Sequence, residues 1–234
     1  MSIDENVARV RERIATAARR VGRDPGSVTL MAVSKTVNRE RIRQASAAGI
    51  RIFGENRVQE FEQKFPDPDS RRDTEWHLIG HLQTNKARKA LEIFDAVDSV
   101  DSLRLAEKLD HAAASCAKKL PVLIEINVGG EESKSGVPLD SPQLEDLLRG
   151  VGRLKHLQVR GLMAVPPFAE NPEATRLYFR LLRDLRDSIA QRKLPGIQMD
   201  VLSIGMSHDF EVAIEEGSTC VRVGTAIFGE RPKP

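Results

Sequence analysis

Two cysteines in 234 residues, Cys116 and Cys220, cannot build a disulfide framework, and they stand too far apart for a CxxC metal motif. A reducing, cytoplasmic setting is therefore expected. No apolar run approaches the roughly 18 residues that a membrane span needs, and the stretch from Met1 to Ile14 has early acidic residues and no apolar core. Neither a membrane anchor nor a secretory signal is expected. Charge of one sign is also missing: 36 basic and 34 acidic side chains leave a formal +2, too weak a field to hold nucleic acid or an anionic membrane. Small-molecule chemistry is favoured over polyanion binding. No low-complexity tract or composition shift marks a boundary, and 40% hydrophobic composition at this length suffices for one large core. One domain over residues 1–234 is expected.

What is present is a regular alternation. Residues 3 to 21 place Val7, Val10, Ile14 and Ala17/Ala18 at helical spacing before Gly22 and Pro25 end the segment, which predicts a leading helix. Eight strand-like runs follow: Val28 to Ser34, Ile50 to Phe53, Glu75 to Ile79, Ala96 to Val100, Pro121 to Val128, Leu157 to Val165, Met199 to Ile204 and Cys220 to Phe228. Between them lie amphipathic stripes such as Leu103, Ala106, Leu109, Ala113, Cys116 and Ala174, Leu177, Leu181, Leu185, Ile189. Runs such as VLIEIN and VLSIG read as strands buried on both faces, and strand-helix alternation implies parallel pairing with right-handed crossovers. The expected fold is an α/β (β/α)8 TIM-type barrel with an extra N-terminal helix. Two loops break the rhythm, Phe65 to Thr74 and Gly129 to Ser141.

Lys35 stands at the tip of the first strand, and the C-terminal ends of barrel strands carry the chemistry in this fold. A lysine becomes a nucleophile when burial or a neighbouring cation lowers its free pKa of about 10.4. The plainer alternative is a lysine reaching into solvent. Its company at strands seven and eight argues for more. Ser203 to Ser207 precedes a helix beginning near Asp209, and Arg222 to Thr225 lies in the last run, where barrels bind anions on free backbone N–H groups. Gly205 and Gly224 would let backbone approach a phosphate, with Ser207 and Thr225 adding hydroxyls. Ser207 could equally cap its helix.

Arg222 and Gly224, two apart, share a strand face inside the mouth, and closure of strand eight against strand one would bring Arg222 near a ligand on Lys35. A surface ion pair is the alternative for Arg222. Gly54, Glu55, Asn56 and Arg57 follow the second strand, where polar groups reach a ligand or cap the next helix. His77 and His81 flank a strand end without the carboxylate of an HExxH motif, so no metal site is expected.

At these residues the chain resembles the pyridoxal phosphate homeostasis proteins, related to the barrel domain of alanine racemase. The matching segments are AVSKTV from Ala32, FGENRVQE from Phe53, WHLIGHLQTNK from Trp76, VDSVDS from Val97, INVGGEESKSG from Ile126, GLMAVPP from Gly161, and LSIGMSHDFEVAIEEGSTCVRVGTAIFGER from Leu202. They cover nearly the whole chain in order; Ile204, where many relatives carry methionine, is an apolar departure.

The resemblance implies a pyridoxal 5'-phosphate (PLP) aldimine on Lys35, phosphate held by Ser207, Gly224, Thr225 and the Met206 backbone, Arg222 facing the pyridine nitrogen, and Asn56 on the ring side. An always-protonated guanidinium there weakens the cofactor as an electron sink. Tyr178, the only tyrosine, sits in an apolar helix where packing is its expected role, so the tyrosine base of alanine racemase has no counterpart. The resemblance thus implies a non-catalytic, monomeric carrier that buffers PLP or delivers it to PLP-dependent apoenzymes. Two rivals are a PLP-dependent racemase or lyase, which needs a second acid/base group, and a cofactor-free aldolase-like barrel using Lys35.

Overall fold

Ser2 and Glu5 form a reciprocal capping box that starts α1 (Ile3–Arg20), whose buried face is Ile3, Val7, Val10, Ile14, Ala17 and Ala18. The structure, a computed structural model, describes residues 1–67, 73–131 and 134–230. Part of each rhythm-breaking loop, residues 68–72 and 132–133, lies outside the described residues, as do 231–234.

Parallel strands β1 (Thr29–Val33), β2 (Ile52–Glu55), β3 (Glu75–Leu78), β4 (Ala96–Val100) and β5 (Leu120–Asn127) pair in chain order. A two-residue strand, β6 (Val137–Pro138), pairs with the end of β5. The ring continues from β5 through β7 (Leu157–Met163), β8 (Ile197–Met206) and β9 (Cys220–Val223), and β9 returns to β1. Leaving β6 aside, this is a closed parallel barrel of eight strands. Closure removes every sheet edge and fixes neighbours: Met31 pairs with Arg222.

Outside run α2 (Arg39–Ala47), α3 (Val58–Lys64), α4 (Ala87–Ile93), α5 (Leu103–Ser115), α6 (Pro142–Val151), α7 (Arg176–Gln191), α8 (Phe210–Glu215) and α9 (Thr225–Phe228). Asn38, Ser102 and Ser141 cap α2, α5 and α6 by accepting backbone N–H groups. The scarce aromatics are concentrated: Phe53, Phe61, Phe65, Trp76 and Phe94 pack at centroid separations of 4.8–5.5 Å, Phe53 stacked on Trp76 and the other pairs tilted, between the β2–β3 surface and its helices.

Four local readings are corrected. The last strand ends at Val223, and Thr225–Phe228 is helical, because the amides of Gly224 and Ala226 turn toward Ser207. Strand two runs to Glu55, so Gly54 and Glu55 lie within it, paired with β1 and β3. On α7 the buried residues are Phe179, Leu182 and Ile189, while Leu177 is 63% exposed. An unbroken i+4 series drifts about 40° per step around a helix of 3.6 residues per turn, which carries Leu177 about 120° from Ile189. Cys116, read as part of an apolar stripe, is the exposed C-cap of α5.

Candidate functional site

All the strands point their C-terminal ends one way, and a cavity of about 660 Å³ opens there. Lys35, Asn56, Met206, Ser207, Arg222, Gly224 and Thr225, widely spaced in sequence, line this one space.

Lys35 occupies a turn just beyond β1, and the next residue, Thr36, has φ of +63°. A β-branched residue in the left-handed region is strained, so its surroundings must hold it. They do so from α3. Glu60 accepts the Thr36 N–H, and the Lys64 ammonium donates to the Ser34 carbonyl at 2.8 Å. Lys64 also donates to Glu55 Oε1 at 2.9 Å, and that oxygen accepts the Ser34 hydroxyl at 2.7 Å. Burial pushes the Glu55 carboxyl up despite Lys64. Burial acts on Glu60 too, but Lys64 and the Thr36 N–H outweigh it and hold that carboxyl low. The backbone on both sides of Lys35 is thus clamped by charged hydrogen bonds.

Across the β8–β9 wall, Ser207 Oγ accepts the N–H groups of Gly224 at 3.1 Å and Ala226 at 3.3 Å. Ser207 therefore does not cap the helix that follows it. Asp209 holds the N-cap position of α8 and accepts the Met206 N–H at 2.7 Å. Gly205 also has a different duty from the one expected. At φ +93° its hypothetical Cβ would meet Ala213 Cβ at 2.5 Å, so glycine lets α8 approach, and Gly205 does not line the cavity. At Gly224 a Cβ would meet only Val33, at 3.5 Å or more. Nothing in the fold itself demands glycine there, whereas a close ligand would.

Arg222 is buried, donating to the Ser203 carbonyl at 2.6 Å, the Ser203 hydroxyl at 2.7 Å and the Ala164 carbonyl at 2.9 Å. The surface ion pair is excluded. Burial lowers its pKa, but arginine begins high enough to remain protonated. On the far wall Glu125 of β5 is 8% exposed, and its Oε2 has no hydrogen-bond partner among the described residues. Burial, then the Asp101 charge, push this carboxyl up to about 7 against the pull of Arg222. Away from the lining, His77 lies between Asp98 and Glu75, with both contacts at 3.0 Å.

A family model described as alanine racemase, N-terminal domain, matches residues 6–232. The chain is 46% identical over 231 residues to a pyridoxal phosphate homeostasis protein of Aquifex aeolicus, covering 99% of each. It belongs to the pyridoxal phosphate homeostasis family. Among solved structures, PipY of Synechococcus elongatus PCC7942, a structure with PLP bound, aligns with a TM-score of 0.80 at 39% identity, covering 94% of this chain and all of PipY (100%). An alanine racemase of Clostridium difficile 630 aligns with a TM-score of 0.74 at 15% identity over 99% of this chain and 57% of its own, a likeness of fold alone.

Within this homeostasis-family barrel, sequence reasoning missed Glu125, Glu60 and Lys64. Glu125 did leave a signal: a charge at the centre of the otherwise apolar VLIEIN run. Glu60 and Lys64 left none, because on an amphipathic helix they read as ordinary surface charges. Tyr178 lies half-buried on α7, packed against the core and away from the cavity lining.

Proposed function

We propose that the chain binds PLP in this cavity with Lys35 as the point of covalent attachment, and that it stores the cofactor and hands it on, acting as a one-domain monomer in the reducing cytoplasm. The carrying observation is that Lys35, the Ser207–Gly224–Thr225 corner and Arg222 line a single cavity. Two further observations fit the group: the volume lies within the range of about 300–1,000 Å³ typical for such ligands, and Gly224 is free of any steric demand from the fold. When bound, the cofactor supplies an aldehyde that condenses with an amine and a ring that withdraws electrons.

The residues divide the work. The α3 clamp fixes the backbone from which Lys35 reaches into the cavity. The Ser207 and Thr225 hydroxyls, with Gly224 leaving room for close approach, form the proposed phosphate corner; the Met206 N–H expected there is taken by Asp209 and the Gly224 N–H by Ser207. Arg222 brings a fixed positive charge that cannot accept a hydrogen bond, so a ring nitrogen beside it is kept unprotonated and the ring withdraws electrons weakly. Asn56 stands on the ring side. The half-exposed Val165 and the exposed Phe168 edge an open mouth, which suits a carrier that exchanges its cargo with PLP-dependent apoenzymes rather than an enzyme that shields a carbanion from water.

Borohydride reduction of PLP-loaded protein followed by peptide mass analysis is expected to place the label on Lys35. Lys35→Ala is expected to abolish both the label and the absorbance band of bound cofactor while leaving the fold intact by circular dichroism. A label elsewhere would overturn the assignment. Mixing loaded protein with a cofactor-free transaminase tests delivery: activity must recover faster than with the same total of free PLP released into buffer.

A further inference from the structure

A carrier that holds its cargo through a lysine must have some way to let another nucleophile in. The ring order β1-β2-β3-β4-β5-β7-β8-β9 puts β5 four strands from β1 in either direction, so Glu125 faces the cavity from the wall opposite Lys35. It is the one buried carboxylate among the described residues lining the cavity, since Glu230 is exposed. The other charged and titratable groups of the lining, or acting on it, are Lys35 after β1, Arg41 on α2, His81 after β3, Asp101 after β4, Lys134 after β5, His208 after β8, Arg222 on β9 and Glu230 beyond α9. Several have partners of their own. His81 contacts Asp101, Lys134 pairs with Glu131, and Arg222 donates to Ser203 and Ala164. Glu125 Oε2 remains a buried acceptor with no hydrogen-bond partner among the described residues, an arrangement that is unfavourable unless a ligand completes it.

The cationic groups of the cavity complement phosphate, and a PLP molecule has no cationic amine for this carboxylate to receive. We propose that Glu125 receives the ammonium group of a primary amine entering the cavity beside the cofactor, and takes its proton so that the freed amine can displace Lys35. This rests on the cofactor-binding reading and deepens it: the second ligand is a primary amine. One carbon–nitrogen bond forms as the bond to Lys35 breaks. Counted from a protonated carbon–nitrogen link to Lys35, the entering ammonium loses two protons, one to Glu125 and one handed to the lysine nitrogen while both nitrogens share the carbon; the lysine then leaves as a neutral amine, and Glu125 returns its proton to water. A carboxyl raised to about 7 by burial is matched to such two-way proton traffic near neutral pH.

The test compares wild type, Glu125→Gln and Glu125→Asp, each loaded with PLP and mixed with ethylamine while the bound-cofactor absorbance is followed. Glu125→Gln is expected to slow amine-driven loss by about tenfold or more when each protein's rate is divided by its own rate of loss into plain buffer. Glu125→Asp, which keeps the charge but retracts it by one methylene, is expected to fall between. With the rate divided by the concentration of free ethylamine at each pH, the wild-type profile should change slope as pH passes about 7, and the glutamine variant should be flat. A second readout uses protein whose cofactor has been fixed on Lys35 by borohydride, so that no exchange can occur. Ethylammonium should raise the melting temperature of the wild type and leave that of Glu125→Gln alone. Equal amine-driven rates in wild type and Glu125→Gln, with Lys35 labelled in both, would sink this role while sparing the cofactor-binding reading. Absence of any label on Lys35 would overturn both.

Discussion

His77, with a side chain 15% exposed, and Glu125, 8% exposed, are both largely buried ionisable groups on strands of the same barrel, yet their surroundings differ. His77 is gripped by Asp98 and Glu75; burial alone would lower its pKa, but the two carboxylates carry it up to about 10. Glu125 is left with an unpartnered oxygen and is pushed toward neutrality. Burial is common to both, so burial does not by itself make a group reactive. Pairing decides: a buried charge with partners becomes a fixed structural strut, and one without becomes a group that titrates and waits for a ligand.

The sharpest way to break the contrast is to unpair the strut. Asp98→Ala is expected to cost about 3–4 kcal/mol, because it leaves a buried imidazolium held only by the half-exposed Glu75; urea denaturation at pH 7 measures this. The pH dependence follows from the same pair. A histidine whose folded pKa is raised contributes stability that is fully present below about 6.5 and is lost as pH rises through about 10. Wild-type melting temperature should therefore fall across that window, and the fall should shrink in Asp98→Ala. A flat profile in wild type would refute the strut.

A smaller effect is expected on the wall that carries Lys35. Lys64→Met removes the cation from Glu55, which is fully buried, and frees the Ser34 carbonyl beside the Lys35 turn. About 2–3 kcal/mol of stability should be lost. The rate of Lys35 labelling should fall as well, an effect that destabilisation alone would not produce in protein that remains folded. Normal labelling kinetics in Lys64→Met would show that the clamp supports the fold and not the lysine.

Smallest is Ser207→Ala at the phosphate corner, where the hydroxyl accepts two backbone N–H groups. Loss of about 1–2 kcal/mol in PLP affinity, roughly tenfold in Kd, is expected by equilibrium titration, with little change for pyridoxal lacking the phosphate. Equal losses for both ligands would move the phosphate elsewhere.

The alternation of β-rich runs with helical stripes, legible from Val28 to Phe228, determined the barrel and put Lys35 at a strand tip, since hydrophobic period is a property of each segment alone. The leading helix was read nearly to the residue because its cap and apolar face are both local. Lys35, Asn56, Ser207, Arg222, Gly224 and Thr225 are legible from their places at strand ends and Met206 through the family resemblance, while strand boundaries, the buried stripe of α7 and the duties of Gly205 and Ser207 depend on packing against neighbours. That Ser207 serves Gly224 and Ala226 and not its own helix, that Lys64 reaches Ser34, and that Glu125 faces Lys35 across the ring were decided only by the tertiary structure. Each depends on the register between strands or helices far apart in the chain, and an amino-acid sequence states what a side chain can bond without stating which distant partner closure will bring to it.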